Sequence, residues 1–115
     1  MKVLITIKPL MYRESLALVF GRHRPDHEVM LAPAASLDKV VDFKPDMLIR
    51  NNTDGVDMEL MENIRCWIEV LYSDDMDARV SLEGEVWNIK DMSTRDLLRI
   101  VDRTEKLTIN NAPIN

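Results

Sequence analysis

The chain has 115 residues, of which 46% are hydrophobic and 30% charged, a composition typical of a folded protein and not of a disordered or fibrous one. This length is enough to bury a core without metal or disulfide support, and we expect one domain over residues 1–107 with a loose tail over residues 108–115. The formal charge of -5 argues against a nucleic-acid partner, because phosphate contacts need a clustered excess of Lys and Arg.

Two further features of the sequence concern the cell compartment. No apolar run approaches the roughly 20 residues that span a bilayer, and the N-terminus does not have the layout of a signal peptide. The single cysteine, Cys66, cannot form an internal disulfide, and unpaired cysteines are usual under reducing conditions. We therefore expect a cytoplasmic protein that does not insert into a membrane.

No group of residues predicts a metal or a cofactor. His23 and His27 flank Pro25 without a third ligand nearby, so we interpret them as solvated loop residues. The acidic residues at 74–77 lack the glycine and the closing glutamate of a calcium loop, which favours an exposed turn. No spacing brings a nucleophile and a base together, and we expect neither a cofactor nor an enzyme.

The first elements of the chain alternate between strand and helix. Residues 2–7 form a short Val-, Ile- and Leu-rich run that Pro9 ends, which is typical of a strand inside a parallel sheet. From Tyr12 the apolar residues recur at helical spacing, and Gly21 occupies the place where a left-handed residue ends a helix. Residues 27–31 are a second short apolar run, which predicts the second strand.

The same alternation continues through the middle of the chain. Ser36 is a good N-cap for a short helix that ends near Phe43, and residues 47–49 are continuously apolar, as in a strand covered on both faces. A short helix capped by Asp57 and a strand over residues 66–72 follow. Strands and helices that alternate with such short connections predict right-handed crossovers and a mainly parallel sheet.

The C-terminal third of the chain departs from this repeat. Residues 78–89 alternate polar with apolar side chains around a reversal at residues 83–84, which predicts an antiparallel hairpin attached to the sheet. Ser93 and Asp96 resemble a capping box with a shorter acid. The apolar residues that follow predict a final helix ending near Arg103.

The carboxyl end of the third predicted strand is the expected place for binding or chemistry. In open α/β sheets, ligands bind in the crevice beyond the carboxyl ends of the strands, and residues 50–55 have the composition of a turn. The residue at that place is Asn51, an amide. The donors expected to line this crevice are Lys8, Asn51, Asn52, Ser73 and Lys90.

Four segments, in the same order along the chain, resemble the receiver domains of bacterial response regulators. They match the family's first strand and helix, its third strand, the end of its fourth strand, and its fifth strand with the lysine and the final helix. These segments lie within residues 1–16, 45–49, 70–73 and 89–98. The resemblance implies a flavodoxin-like, three-layer α/β/α sandwich with a mainly parallel sheet.

The residues of the family that carry phosphorylation are replaced here. The acidic pair that holds magnesium falls on Ile7 and Lys8, and the phosphate-accepting aspartate falls on Asn51. Phosphoryl transfer to a side chain needs a carboxylate nucleophile and a metal held by oxygen ligands. The resemblance therefore implies a degenerate receiver in which ordinary aspartyl phosphorylation is lost.

The remaining family positions agree only in part. The switch Thr or Ser of the family falls on Tyr72, or on Ser73 if the register shifts by one, and only Lys90 matches the expected residue. The spans on either side of Tyr72 are shorter than in the family. This implies a shortened third helix and a fourth helix replaced by the hairpin.

Two functions from different classes fit these observations. The leading hypothesis is a non-enzymatic, receiver-like regulatory or protein-interaction module that does not use phosphorylation. Its partner is another protein or a second copy of the chain, in a homodimer formed through an edge of the sheet or a helical face. The alternative is a small-ligand or nucleotide-binding domain that uses the crevice at the strand ends, although the sequence has no glycine-rich phosphate loop.

Overall fold

A computed structural model describes residues 1–33, 42–51, 63–71 and 77–110 of the chain. These ranges contain six strands and two long helices. They are β1 (Lys2–Ile5), α1 (Leu10–His23), β2 (Glu28–Leu31), β3 (Met47–Asn51), β4 (Cys66–Val70), β5 (Ala78–Leu82), β6 (Glu85–Ile89) and α2 (Thr94–Asn110).

All six strands belong to one mixed sheet, in the order β2-β1-β3-β4-β5-β6. Strands β1 to β4 pair in parallel, whereas β5 pairs antiparallel with β4 and β6 antiparallel with β5. The α/β class, the mainly parallel sheet and the C-terminal antiparallel hairpin predicted from the sequence are therefore confirmed.

The hairpin turns through two residues with left-handed backbone. Glu83 has φ 50° and Gly84 has φ 87°, which is the pattern of a type I′ turn, the connection that matches the twist of the strands. Glycine adopts this conformation without steric cost, whereas a glutamate there is unusual. β5 and β6 pair without a break up to Leu82 and Glu85, so the chain reverses at the predicted place.

The two faces of the sheet contribute to two different apolar clusters. Val3, Met47 and Cys66 lie side by side in the register and share a cluster with residues of both helices, Phe20 of α1 and Leu97 of α2 among them. We call this side of the sheet the helix face. Both described helices thus pack on the same side of the sheet.

The opposite face is apolar near the centre of the sheet. Leu4 and Leu48, which are adjacent in the register, are both 0% exposed. They share a second cluster with Phe43, which precedes β3, and Ile64, which precedes β4. Both sides of the central strands are therefore buried, as the continuous apolar run at residues 47–49 predicts.

Helix α1 does not end at the predicted residue. It continues through Gly21 to His23, and the N–H of Arg24 donates to the carbonyl of Phe20 at 2.8 Å. The prediction of Gly21 as the left-handed terminal residue is therefore wrong. The helix ends instead before Pro25, because a residue that precedes proline disfavours helical backbone.

Helix α2 begins as predicted and ends later. The N–H of Ser93 donates to Asp96 Oδ2 at 3.0 Å, and the N–H of Asp96 donates to Ser93 Oγ at 3.1 Å, which is the reciprocal pattern of a capping box. The helix extends beyond Arg103 to Asn110. The helical turn that follows Arg103 is also packed against the protein, since Thr104 is 0% exposed. Residues 108–110, predicted to begin the tail, are helical, and residues 111–115 lie outside the described ranges.

Several predicted elements fall outside the described ranges. Most of the helix expected between Ser36 and Phe43 lies within residues 34–41, which the structure does not describe. Most of the helix expected after Asp57 lies within residues 52–62, which it does not describe either. In the part of the chain that is described, neither helix is long and apolar enough to cross a membrane.

Candidate functional site

Asn51 is the last residue of β3 and lies at the predicted place, the carboxyl edge of the sheet. β1 and β3 are parallel neighbours with Ile5 paired to Ile49, so the residues that follow Ile5 reach the level of Asn51. The Asn51 side chain accepts a hydrogen bond at Oδ1 from the N–H of Lys8 at 2.6 Å. The residue as a whole is only 7% exposed. The amide oxygen is thus engaged in joining the ends of two neighbouring strands.

Ile7 and Lys8, on which the resemblance places the acidic pair of the receiver family, differ in their environment. Ile7 is 0% exposed and belongs to the cluster on the helix face, where it is a packing group. The Lys8 side chain is exposed. Neither side chain carries an oxygen ligand, and the backbone N–H of Lys8 donates to the Asn51 side chain.

Lys90 is the one further predicted crevice residue that the structure describes, and it does not meet Asn51. Lys90 is exposed and follows β6, and two strands, β4 and β5, separate β6 from β3. At a strand spacing of about 4.8 Å, the end of β6 lies about 14 Å from Asn51. Asn52, Tyr72 and Ser73 lie outside the described residues.

A buried ion pair next to Asn51 was not anticipated from the sequence. Arg50 of β3 is paired in register with Glu69 of β4, and Arg50 Nη1 lies 2.8 Å from Glu69 Oε1, with the two side chains 4% and 12% exposed. Arg79 of β5 is the next residue in the row, with Nη1 4.0 Å from Glu69 Oε2. The Glu69 carboxylate thus lies between two guanidinium groups. The three side chains form a row across β3, β4 and β5 on the opposite face.

The sequence contains a signal for this ion pair, but the turn-like composition of residues 50–55 concealed it. Arg50 was assigned to the turn after β3, yet it belongs to the strand and is 3% exposed. Glu69 is the only charged residue in the otherwise apolar strand β4. A single charge at the same depth in two adjacent strands indicates a cross-strand pair, once the register of the strands is known.

A second group of polar side chains joins the loop before β2 to α2. Arg24 forms two contacts with Asp102, Nε to Oδ1 at 2.7 Å and Nη2 to Oδ2 at 2.8 Å, and this hydrogen bonding lowers the pKa of the Asp102 carboxyl. His27 Nε2 lies 3.4 Å from Glu105 Oε2, and the imidazole is only 4% exposed. The interpretation of His27 as a solvated loop residue is therefore wrong, since it is buried against the helix, whereas His23 is exposed.

Two observations concern nucleophilic and metal chemistry. Cys66 is buried, and desolvation raises the pKa of its thiol to about 11, so it stays protonated at neutral pH and serves as a packing group. Among the residues that the structure describes, no group of three or more His, Cys, Asp and Glu side chains is arranged to hold a metal ion.

Comparisons with known proteins do not extend this description. The chain matches no family model, no curated protein and no solved structure. What defines the molecule is its own geometry: an α/β protein with a mixed six-stranded sheet, whose expected site carries an amide bonded to the neighbouring backbone.

Proposed function

We propose that this chain is a cytoplasmic, receiver-like regulatory or protein-interaction module, non-enzymatic and independent of aspartyl phosphorylation. The observation that carries the proposal is the state of Asn51. Its side chain, which the resemblance matches to the phosphate acceptor, carries no charge and has its oxygen bonded to the N–H of Lys8 at 2.6 Å.

The order of the strands supports the receiver-like part of the proposal. The four parallel strands follow the order β2-β1-β3-β4, which is the order at the start of a flavodoxin-like sheet. In such sheets the ligand crevice opens between β1 and β3, where the strand order reverses. In this chain the hydrogen bond between Lys8 and Asn51 spans that place.

We further propose that the complete fold is a three-layer α/β/α sandwich. With right-handed crossovers, the connection from β1 to β2 lies on one face of the sheet, and the connections from β2 to β3 and from β3 to β4 lie on the other, because the direction of travel across the sheet reverses. α1 packs on the helix face. The complete burial of Leu4 and Leu48 on the opposite face supports a covering layer there.

The chemistry of the site supports loss of phosphorylation. An aspartyl acceptor attacks as a carboxylate while magnesium, held by hard oxygen ligands, neutralises the developing charge. Asn51 is not a carboxylate, and the 0% exposed Ile7 side chain offers no ligand. A side chain that is both uncharged and engaged by backbone cannot replace that nucleophile.

The direct test is incubation with acetyl phosphate and magnesium, followed by mass spectrometry of the intact protein. We expect no phosphoryl adduct on the wild type or on Asn51→Asp, because one carboxylate is an incomplete metal site. Asn63→Asp, which places an aspartate at an exposed position, is the matched control. An adduct on the wild type would overturn the proposal.

A triple variant tests the positional match with the family. Ile7→Asp, Lys8→Asp and Asn51→Asp together rebuild the carboxylate cluster. Because Ile7 is 0% exposed, circular dichroism must first show that the variant is folded. An adduct on the folded triple variant, absent from Asn51→Asp, would support the assignment of these positions.

The alternative function, binding of a small ligand or nucleotide at the strand ends, has an equally direct test. A ligand at a hundred times its dissociation constant stabilises the folded protein by about 2.7 kcal/mol. A thermal-shift screen with nucleotides, flavins and anions would reveal such a gain. A shift that Asn51→Ala abolishes would replace the interaction module with a ligand-binding domain.

A further inference from the structure

The side of α1 that faces solvent carries large apolar residues. Met11 is 66% exposed and Leu18 is 62% exposed, and their spacing of seven positions places them on the same side of the helix, two turns apart. Phe20, which is 1% exposed, lies two positions beyond Leu18 and therefore on the side that packs against the sheet. Surface helices usually carry polar residues on the side that faces solvent, so this apolar pair is a candidate contact surface.

Four more exposed residues share this side of the helix with the apolar pair. They lie three or four positions before or after Leu18, the spacing that makes side chains neighbours on a helix surface. They are Glu14, Ser15, Gly21 and Arg22. We call these four residues, together with Met11 and Leu18, the outer face of α1. The helix has 14 residues and is about 21 Å long, and the outer face extends over most of that length.

The two charged residues of the outer face have no partner within the described parts of the chain. Glu14 lies four positions before Leu18 and Arg22 lies four positions after it. Ion pairs within a helix form between residues three or four positions apart, whereas these two residues are eight apart. Neither of them forms an ion pair with any described residue. The outer face therefore has an acid on one side of Leu18 and a base on the other, at equal distances.

The glycine of the outer face is not explained by contacts within the chain. Gly21 lies inside α1 and does not have a positive φ. A Cβ atom added to it would meet no other atom within 4 Å. Glycine is less favourable than alanine in the interior of a helix, so neither the backbone conformation nor the packing of the monomer requires it. A glycine on an exposed helix face does allow the backbone of another helix to approach closely.

We propose that the outer face of α1 packs antiparallel against the outer face of α1 in a second copy of this chain, around a two-fold axis beside Leu18. This inference rests on the proposed function and names its partner. The axis places Leu18 against the partner's Leu18. Glu14 then lies opposite the partner's Arg22, because each is about 6 Å along the helix from the axis. The symmetry repeats this contact, so the apolar centre has an ion pair on each side.

The pattern of charge favours a second copy over an unrelated partner. A two-fold axis brings acid to base only where the two lie on opposite sides of the axis at equal distances, and Glu14 and Arg22 meet this condition at Leu18. In the same arrangement Gly21 lies beside the partner's Ser15, and two small residues let the helices approach closely. The helix dipoles of the two copies run in opposite directions. The proposed third layer lies on the opposite face of the sheet and leaves the outer face of α1 free.

The oligomeric state tests the inference. Because the contact extends over one helix, it is small compared with the interfaces of stable dimers. We expect light scattering to give twice the monomer mass of 13.3 kDa at millimolar chain concentration and the monomer mass on dilution. Leu18→Glu places two carboxylates at the axis and should have the monomer mass at every concentration. Leu18→Met, which keeps an apolar side chain at the axis, is the matched control and should still dimerise.

An exchange of charge tests the contact between Glu14 and the partner's Arg22. Glu14→Arg and Arg22→Glu each place like charges opposite one another, so we expect each variant alone to have the monomer mass at millimolar concentration. An equimolar mixture of the two should give twice that mass, because the basic side chains of one variant then face the acidic side chains of the other. The double variant Glu14→Arg with Arg22→Glu has the net charge of the wild type and should dimerise by itself.

Circular dichroism must show that each variant is folded, which we expect because all the substituted positions are exposed. A monomeric wild type at millimolar concentration would overturn the inference. So would a folded Leu18→Glu variant that still dimerises, since the interface would then lie elsewhere. A mixture of the two charge variants that remains monomeric would overturn the antiparallel arrangement.

The outcomes also separate this inference from the proposed function. A phosphoryl adduct on the wild type would overturn the proposed function without changing the mass measured by light scattering. A monomeric wild type without an adduct would overturn the pairing of α1 and leave the phosphorylation-independent module intact.

Discussion

Asn51 lies where the carboxyl ends of β1 and β3 meet, and its side chain forms a hydrogen bond within the protein. The oxygen accepts from the N–H of Lys8, a backbone donor that lies beyond the paired residues of β1 and β3. An amide is suited to this contact because it accepts a hydrogen bond and carries no charge to desolvate. The residue at the expected site therefore makes a structural contact.

Asn51→Ala tests this contact through stability. The substitution leaves the N–H of Lys8 without its partner in a partly buried site, and a lost hydrogen bond of this kind costs about 1–3 kcal/mol. We expect urea unfolding to show a loss in that range. Asn63→Ala, at an exposed position, is the matched control and should change stability by less than about 0.5 kcal/mol. Equal stabilities of the two variants would contradict the structural role of Asn51.

At the scale of the elements, two contacts join neighbouring strands in the part of the sheet from β3 to β6. The type I′ turn at Glu83 and Gly84 fixes the register of β6 on β5, because the length and type of the turn determine which residues pair. The ion pair of Arg50 with Glu69 joins β3 to β4. The first contact is local in the sequence, whereas the second depends on the sheet.

Glu69→Gln tests the ion pair. The substitution keeps the shape of the side chain and removes the charge that faces Arg50, whose side chain is 4% exposed. Hydrogen bonds between charged groups contribute about 1.5–3 kcal/mol, and an amide accepts a weaker one from the guanidinium than a carboxylate does, so we expect a loss of about 1–2 kcal/mol in urea unfolding. Glu14→Gln, on an exposed part of α1, is the control. A loss no larger than that of the control would show that the pair contributes little to stability.

At the scale of the whole molecule, the central strands are covered on both sides. The helix face carries a cluster that includes residues of α1 and α2, and the opposite face carries Leu4 and Leu48, each 0% exposed. A parallel sheet exposed to water on one face would not carry such residues there. The proposed third layer covers the opposite face.

Leu48→Ala measures how completely the opposite face is covered. If a third layer packs there, the substitution removes buried methyl groups and leaves a cavity, which costs about 2–5 kcal/mol. Leu18→Ala makes the same change on α1, where the side chain is 62% exposed, and should cost less than about 1 kcal/mol. Unfolding in urea compares the two variants. Similar small losses for both would contradict the three-layer sandwich.

The elements that the sequence by itself determined are those set by neighbouring residues. The apolar runs of β1 and β3, the hairpin around residues 83–84 and the capping box of Ser93 with Asp96 depend on contacts a few positions apart, so local pattern was enough to find them. The predicted ends of the helices were less accurate. α2 continues beyond Arg103 because Thr104 is buried in tertiary contacts, which periodicity does not report.

Only the tertiary structure decided the contacts that define the candidate site. Lys8 and Asn51 are 43 residues apart in the sequence, and Arg50 and Glu69 are 19 apart, so each contact exists only once the order and register of the strands are fixed. The distance of Lys90 from Asn51 likewise depends on the strand order, because β5 lies between β6 and β4. The sequence indicated which side chains were available for a site, and the packing of the sheet determined which of them met, because register depends on burial across the whole sheet.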